Sequence, residues 1–243
     1  MNNRHWLLKA AGTIGLILTL GGSMNASAGL FGFGGTSWKE EVLLHDGSKL
    51  VVERTVTRGG HGIAQQSIAT EENLSFTLPG TNERITWIDQ FSPDLGSSNF
   101  NLMMLEISNG LAYLVASPMG CLSYNKWGRP NPPYVVFQHR DKAWSRIELQ
   151  NLPREFTAPN LIISSPDAEA KKLGSGTISA ETIKKLNTGF SQPEFRSILR
   201  EPFATAARGC AEMIHYKCGW FGKRPDGTFN QEFADRMCDK QRN

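Results

Sequence analysis

The chain lacks most of the short patterns that signal catalysis. It has no Gly-x-x-x-x-Gly-Lys-Ser/Thr loop, no Gly-x-Ser-x-Gly elbow, no His-Glu-x-x-His pair and no EF-hand loop. P-loop phosphate binding, α/β-hydrolase chemistry, zincin-type hydrolysis and EF-hand calcium binding therefore have no footing in the sequence. Cysteine is scarce, with four residues and no Cys-x-x-Cys, and the step from Cys210 to Cys218 is not a zinc spacing. No metal or cofactor is implied. Neither sign of charge dominates: 26 Lys and Arg stand against 23 Asp and Glu, a formal charge of +3. Removing residues 1–28, which hold Arg4 and Lys9 and no acid, lowers it by two, to +1. That near-neutrality argues against a nucleic-acid partner, which requires a concentrated basic surface.

Long apolar runs are missing too. The run from Ala10 to Leu20 is shorter than the roughly 20 residues of a membrane-spanning helix. Basic Arg4 and Lys9 precede it, and Ser-Met-Asn-Ala-Ser-Ala follows it to Ala28. A basic start, an apolar middle and a small-x-small end make a secretory signal peptide over 1–28, with no stable transmembrane span after its removal. The first cysteine is Cys121, so no lipid-bearing cysteine follows the leader. The mature chain of 215 residues is ample for one core. The expected destination is the periplasm or the exterior.

Gly29 to Gly35 reads as the core of a flexible lead-in over 29–37. Four hairpins are then expected before residue 152. Glu41–His45 and Ser48–Arg58 flank Asp46-Gly47; Leu74–Leu78 and Arg84–Ile88 flank Pro79 to Asn82. Leu102–Ile107 and Leu111–Ala116 flank Asn109-Gly110, a dipeptide that accepts the positive φ angles of a two-residue turn. Tyr134–Gln138 and Trp144–Leu149 flank His139 to Lys142. In the third hairpin both alternating faces are apolar, which marks strands covered on both sides. Met103, Leu105 and Ile107 are expected on one face, Leu102 and Met104 on the other. Leu50, Val52 and Val56 share a face of a half-solvated strand. Gly59-Gly60-His61-Gly62 is expected to be a mobile loop, because the polar stretch Gln65–Glu72 after it has no helical stripe.

These turns, with no helices between them, predict an antiparallel β domain over 38–152, either a sandwich or a few propeller-like blades. From 153 to 243 a mixed, mostly helical annex is expected to pack on it. Leu161–Ile163 reads as one more strand. Ser179 caps a helix that Gly189 stops; Pro193 opens a short second helix. Phe203, Ala207, Cys210 and Ile214 recur at helical spacing, and Asn230 caps a last helix with Phe233 and Met237. Exported cysteines suggest disulfides, with three connectivities open. If Phe203–Lys217 is a helix, Cys210 and Cys218 lie about 12 Å apart by the helix rise, beyond the roughly 7 Å limit for a bridge. That favours Cys218–Cys238 and, by elimination, Cys121–Cys210.

Few residues offer chemistry. Ser123-Tyr-Asn-Lys126 matches Ser-x-x-Lys, but that pair must meet across a helical turn, and the surrounding glycines and proline argue against one. Cys121 with His139 or His215 is a second candidate, against which the oxidising compartment favours a bridge. Both would serve a hydrolase of envelope polymers. Glu40-Glu41 and Glu71-Glu72 are sequence neighbours on strands, so each pair points to opposite faces. The loop Tyr124–Tyr134 carries Tyr124, Trp127, Arg129 and Tyr134, residue types that anchor protein interfaces and stack on sugars; their plainer role is packing under the sheet edge. A partner protein or glycan of the envelope is the class they suggest.

The stretches Trp38–Thr55 (WKEEVLLHDGSKLVVERT) and Tyr124–Phe137 (YNKWGRPNPPYVVF) resemble an uncharacterised group of exported bacterial proteins. The resemblance implies bacterial export and no activity. A non-catalytic binding or interaction protein of the cell envelope is the reading these features favour.

Overall fold

The computed structural model describes residues 35–59, 68–204 and 209–242. The expected signal peptide, most of the lead-in and the glycine loop from Gly60 lie outside them. β1 (Thr36–Leu43), β2 (Lys49–Gly59), β3 (Ile68–Thr77) and β4 (Arg84–Asp89) pair antiparallel as two hairpins. β5 (Phe100–Ser108), β6 (Leu111–Pro118), β7 (Val135–Arg140) and β8 (Ala143–Ile147) form a second antiparallel sheet in chain order. Leu74, Phe76 and Trp87 of the first sheet share one core with Leu105, Leu114 and Phe137 of the second. The two sheets therefore stack as a sandwich, the first of the two expected arrangements.

The second sheet is buried on both faces, and Leu105 and Leu114 are fully inaccessible. Its far side carries Tyr113, Val115 and Val136 against Leu152, Phe156, Ile163 and Ile198. Asn109 and Gly110 both have positive φ, as the turn requires. One expected face assignment fails. The β5–β6 register shifts between Leu102 and Met104, so Met103 is an extra, bulged residue. The bulge reverses the parity: Leu102 joins Leu105 and Ile107 on the inner side, while Met103 and Met104 turn to the other.

In the first sheet the outer face is solvated and mostly polar, with Leu43, Val51 and Ile88 also exposed on it. Ser37 pairs with Thr55, and Glu53 bridges Lys39 and Arg84. Its inner face holds a charge cluster that the alternation concealed. Arg54 lies between Val52 and Val56 on the apolar face and is 1% exposed. Its Nη1 donates to Glu40 Oε1 at 2.8 Å and to the Ile162 carbonyl at 2.8 Å, and its Nε and Nη2 donate to Glu72. Glu40 also accepts from Trp38 Nε1 and from Ile162 N–H. Burial opposes the charge on Arg54, but Glu40 and Glu72 outweigh it and hold its pKa above the usual guanidine value. Glu72 explains a second correction: β3 begins at Ile68, so Ile68–Glu72 is strand, and its buried position carries a carboxylate where an apolar residue would have marked the period. Glu40-Glu41 and Glu71-Glu72 each split across the sheet, yet Glu40 and Glu72 of different strands meet on one arginine.

Asn160 seals the free edge of β5. Its Oδ1 accepts from Leu105 N–H, its Nδ2 donates to the carbonyls of Leu105 and Leu43, and its own N–H donates to the Met103 carbonyl. It thus satisfies the edge as a paired strand would, and ties both sheets together.

The second half of the chain is less helical than its spacing predicts. α1 (Gly120–Lys126) lies within the central loop; α2 (Pro166–Leu173), α3 (Ala180–Thr188) and α4 (Gln231–Arg242) follow. Ser179 Oγ accepts from Thr182 N–H, and Asn230 Oδ1 accepts from Phe233 N–H, as cap chemistry requires. Gly189 ends α3 as expected, but three other expectations fail. Leu161–Ile163 is buried but irregular, its backbone committed to Glu40 and Arg54. Pro193–Phe195 is a single 3-10 turn. In place of a helix through Cys210 and Ile214 there is a hairpin of β10 (Met213–Tyr216) and β11 (Gly219–Gly222). β9 (Thr177–Ile178) pairs parallel to β1, so the annex adds a strand to the first sheet.

Cys121 is bonded to Cys210 and Cys218 to Cys238, with Cα separations of 5.5 and 5.4 Å. The pairing is the favoured one, but the helix used to reach it does not exist. Among the described residues no helix is long and apolar enough to cross a membrane.

Candidate functional site

The loop Tyr124–Tyr134 is built into the molecule more than it is displayed. Tyr124 is buried at the end of α1 against Cys210, and Tyr134 is buried beside Val136. The Tyr134 hydroxyl donates toward the Glu194 and Ser197 carbonyls and accepts from Leu199 N–H. Trp127 is half-buried. Its ring centroid lies 4.6 Å from that of Phe100, and its Nε1 donates to Asn99 Oδ1. The Arg129 guanidinium lies over the Tyr124 ring and donates to Asn125 Oδ1 and to the carbonyls of Cys210 and Ala211. These four side chains hold the C-terminal hairpin and the core edge together. The structure does not gather them onto one open surface.

The two candidate nucleophiles fail for separate reasons. Residues 120–126 are helical after all, so Ser123 and Lys126 do stand one turn apart. Ser123 is nonetheless fully buried and donates to the Asn99 carbonyl at 2.5 Å, while Lys126 reaches away to Ser92 and Asp94. Cys121 has no thiol to offer, because it is bonded to Cys210. The rings of His139 and His215 pack on Trp144 and Trp220. No group of three or more His, Cys, Asp or Glu that could hold a metal occurs among the described residues.

What the loop does form is one wall of a groove. β7 and β8 pair only as far as Val136 and Ile147. Beyond that pair the strands splay, and a cavity of about 560 Å³ opens between Asn131-Pro132 on one side and Glu148–Gln150 with Arg154, Arg200 and Glu201 on the other. A second hollow of about 170 Å³ continues it toward β8, past Pro130, Tyr134 and Arg146. Asn131 and Pro132 are joined by a cis peptide bond. The opposite wall is fixed by Arg200. Its Nη1 donates to the carbonyls of Leu149 and Leu152, and its Nη2 to those of Pro153 and Phe156, at 2.6 to 3.2 Å. Four carbonyl dipoles take up the Nη hydrogens of the guanidinium, and Glu155 is the carboxylate that acts on its charge. Burial, and then the neighbouring Arg154, push its pKa below the usual guanidine value.

No protein-family model, curated protein or solved structure matches the chain. The groove must therefore be judged on its own geometry. Its lining is polar and apolar in similar measure, and its walls offer both signs of charge without a nucleophile–base pair. Sequence reading missed Gln150, Arg154, Arg200 and Glu201. The strand splay that brings them together follows from where pairing stops, and no local pattern marks that point. The clustered prolines Pro130, Pro132 and Pro133 were the one visible sign, because proline cannot extend a ladder.

Proposed function

We propose that this chain is a non-catalytic binding protein of the bacterial cell envelope, which takes its ligand in the groove between Pro130–Pro132 and Glu148–Arg154. One observation carries the reading: this cavity of about 560 Å³ has a wall locked by the four carbonyl bonds of Arg200, so little ordering cost attends binding. The hydrolase alternative has lost its two named nucleophiles, one to a disulfide and one to burial. Two disulfides suit an oxidising compartment outside the cytoplasm, and the signal-peptide pattern of residues 1–28 suits export there. The envelope partner is a protein or a glycan.

Co-sedimentation with bacterial envelope fragments tests this. Gln150 lines the groove and is exposed, so Gln150→Trp should fill the cavity and leave the fold unchanged. The parent protein should pellet with the fragments, Q150W should remain in solution, and no soluble polymer should be released. Equal pelleting of both proteins, or release of soluble fragments in proportion to added protein, would overturn the reading.

A further inference from the structure

Another hollow, of about 170 Å³, opens between α3 and the segment 158–160, and it shares no lining residue with the groove. The sequence of α3 sets one wall. Ile183 turns inward onto the core of Trp38, Val56 and Ile162. Ala180, Lys184, Asn187 and Thr188 recur at steps of four, three and one, so they share a second face, and all four line the hollow. Leu43, Ala158 and Pro159 make the rest of the lining mostly apolar, and Arg196 adds a second cation to that of Lys184. Leu43 ends β1 with its side chain exposed.

Three polar groups of this lining lack a protein partner. Lys184 and Arg196 are exposed, and neither side chain bonds to a carboxylate among the described residues. Asn187 is only 4% exposed. Its Nδ2 donates to the Leu161 carbonyl at 2.9 Å, which fixes the amide and leaves Oδ1 buried without a donor. A native fold seldom leaves a buried acceptor unmet. Asn160, on the same hollow, has its amide fully committed to Leu43 and Leu105 and adds nothing free. Two cations call for an anion, the Asn187 oxygen for a donor, and the apolar lining for a hydrocarbon body. An ammonium donor would be repelled by the two cations; a hydroxyl is the smallest neutral donor. A volume below the roughly 300–1,000 Å³ of drug-sized sites limits the occupant to about ten non-hydrogen atoms.

We infer that this hollow is a second ligand site, separate from the groove, for a small aliphatic 2-hydroxy acid. The carboxylate lies at Lys184 and Arg196, the hydroxyl donates to Asn187 Oδ1, and the hydrocarbon chain rests on Leu43, Ala158 and Pro159. Burial of the chain supplies most of the affinity. The exposed cations are screened, so each adds a modest preference for an anion.

Two-dimensional amide NMR of the purified, isotope-labelled protein tests this with three probes. The first is 2-hydroxy-4-methylpentanoate. The second, 4-methylpentanoate, lacks the hydroxyl. The third, 4-methylpentane-1,2-diol, lacks the charge. The hydroxy acid should give saturable shifts in the amides of residues 43, 158, 160 and 180–188, with a Kd of about 1 mM or tighter. Loss of the hydroxyl should weaken binding roughly threefold or more, and loss of the charge roughly tenfold. Ala158→Trp should fill the hollow and abolish the shifts. The exposed pair Lys184→Gln with Arg196→Gln should weaken the hydroxy acid and leave the diol unchanged, and it decides the matter if A158W loses the native spectrum. No saturable shift by about 10 mM, shifts confined to other residues, equal binding of all three probes, or full affinity in the Lys184→Gln, Arg196→Gln protein overturns the inference.

Discussion

In the sheet β5–β8 the buried positions of both faces are mainly Leu, Met, Val, Ala and aromatic side chains, with Glu106 the one buried charge among them. In the sheet β4-β3-β2-β1 the inward positions include Glu40, Arg54, Glu72 and Asp89, all at most 5% exposed. The apolar sheet is held by burial, which is indifferent to direction and tolerant of shape-conserving change. The charged sheet is held by bonds that exist in one register only. A one-residue slip of β2 would carry Arg54 to the solvated face and leave Glu40 and Glu72 inside without their cation. The same slip would bring buried Val52 and Val56 out to solvent, so burial and the ion cluster act in the same direction. The buried arginine adds discrimination by direction, at a cost in desolvation that the apolar sheet meets only at Glu106.

The sharpest way to break this contrast is to remove the cation. Arg54→Met keeps length and apolar stem but leaves two carboxylates buried without it. Breaking a buried pair from one side costs about 3–5 kcal/mol, and here one removal orphans two partners, so R54M should lie at or above the top of that range. Denaturant unfolding measures it. A loss below about 1 kcal/mol would mean that the cluster is not sealed from water and that the contrast is false.

Next in size is the matching deletion in the apolar sheet. Leu114→Ala opens a cavity among Leu105, Phe137 and their neighbours, and buried Leu→Ala changes cost about 2–5 kcal/mol. Unlike R54M, its cost should be nearly independent of pH, since no ionisable group is exposed or stranded by it. A pH-dependent loss in L114A would show that the two sheets do not divide their labour as described.

This contrast also sets what the sequence could disclose. Where burial is apolar, alternation reports it, and all four hairpins and the double-faced cover of β5 and β6 are legible. Alternation fails where a buried position is charged. Arg54 interrupts Leu50, Val52 and Val56, and Glu72 hides the start of β3. It also fails at Met103, where one bulged residue inverts the faces. Beyond residue 152 the spacing of Phe203, Ala207, Cys210 and Ile214 imitates a helix, but a hairpin staple by Cys218–Cys238 overrides it. The groove was the least legible feature, because it exists only where β7 and β8 cease to pair. Arg200 reads locally as an ordinary surface arginine. The aromatic loop was visible, but Tyr124, Trp127, Arg129 and Tyr134 turn out to pack and brace, and only the proline end of the loop faces the cavity.

The smallest effect is the most discriminating, and its sign can be worked out. Burial raises the Glu72 carboxyl above its ordinary value of 4.5, against the pull of Arg54. A carboxyl whose pKa is higher folded than unfolded binds its proton more tightly in the native state. Glu72 therefore subtracts stability at neutral pH, and the deficit shrinks as pH falls through the raised pKa toward the unfolded value. Burial raises Asp89 and Glu106 in the same direction. Asp167 runs oppositely: its bond to Arg58 lowers its pKa, so its contribution is present above the ordinary 3.8 and is lost as pH falls through the lowered value. The melting temperature should accordingly rise on mild acidification and drop only at lower pH. Glu72→Gln retains an acceptor for Arg54 and removes the titrating proton. It should melt no lower than the parent at pH 7, show a shallower acid-side rise, and converge with the parent as the pH approaches the ordinary carboxylate range. If E72Q instead melts well below the parent at neutral pH, the second carboxylate is a net support of the cluster, and the cost assigned to burying charge in this sheet is wrong.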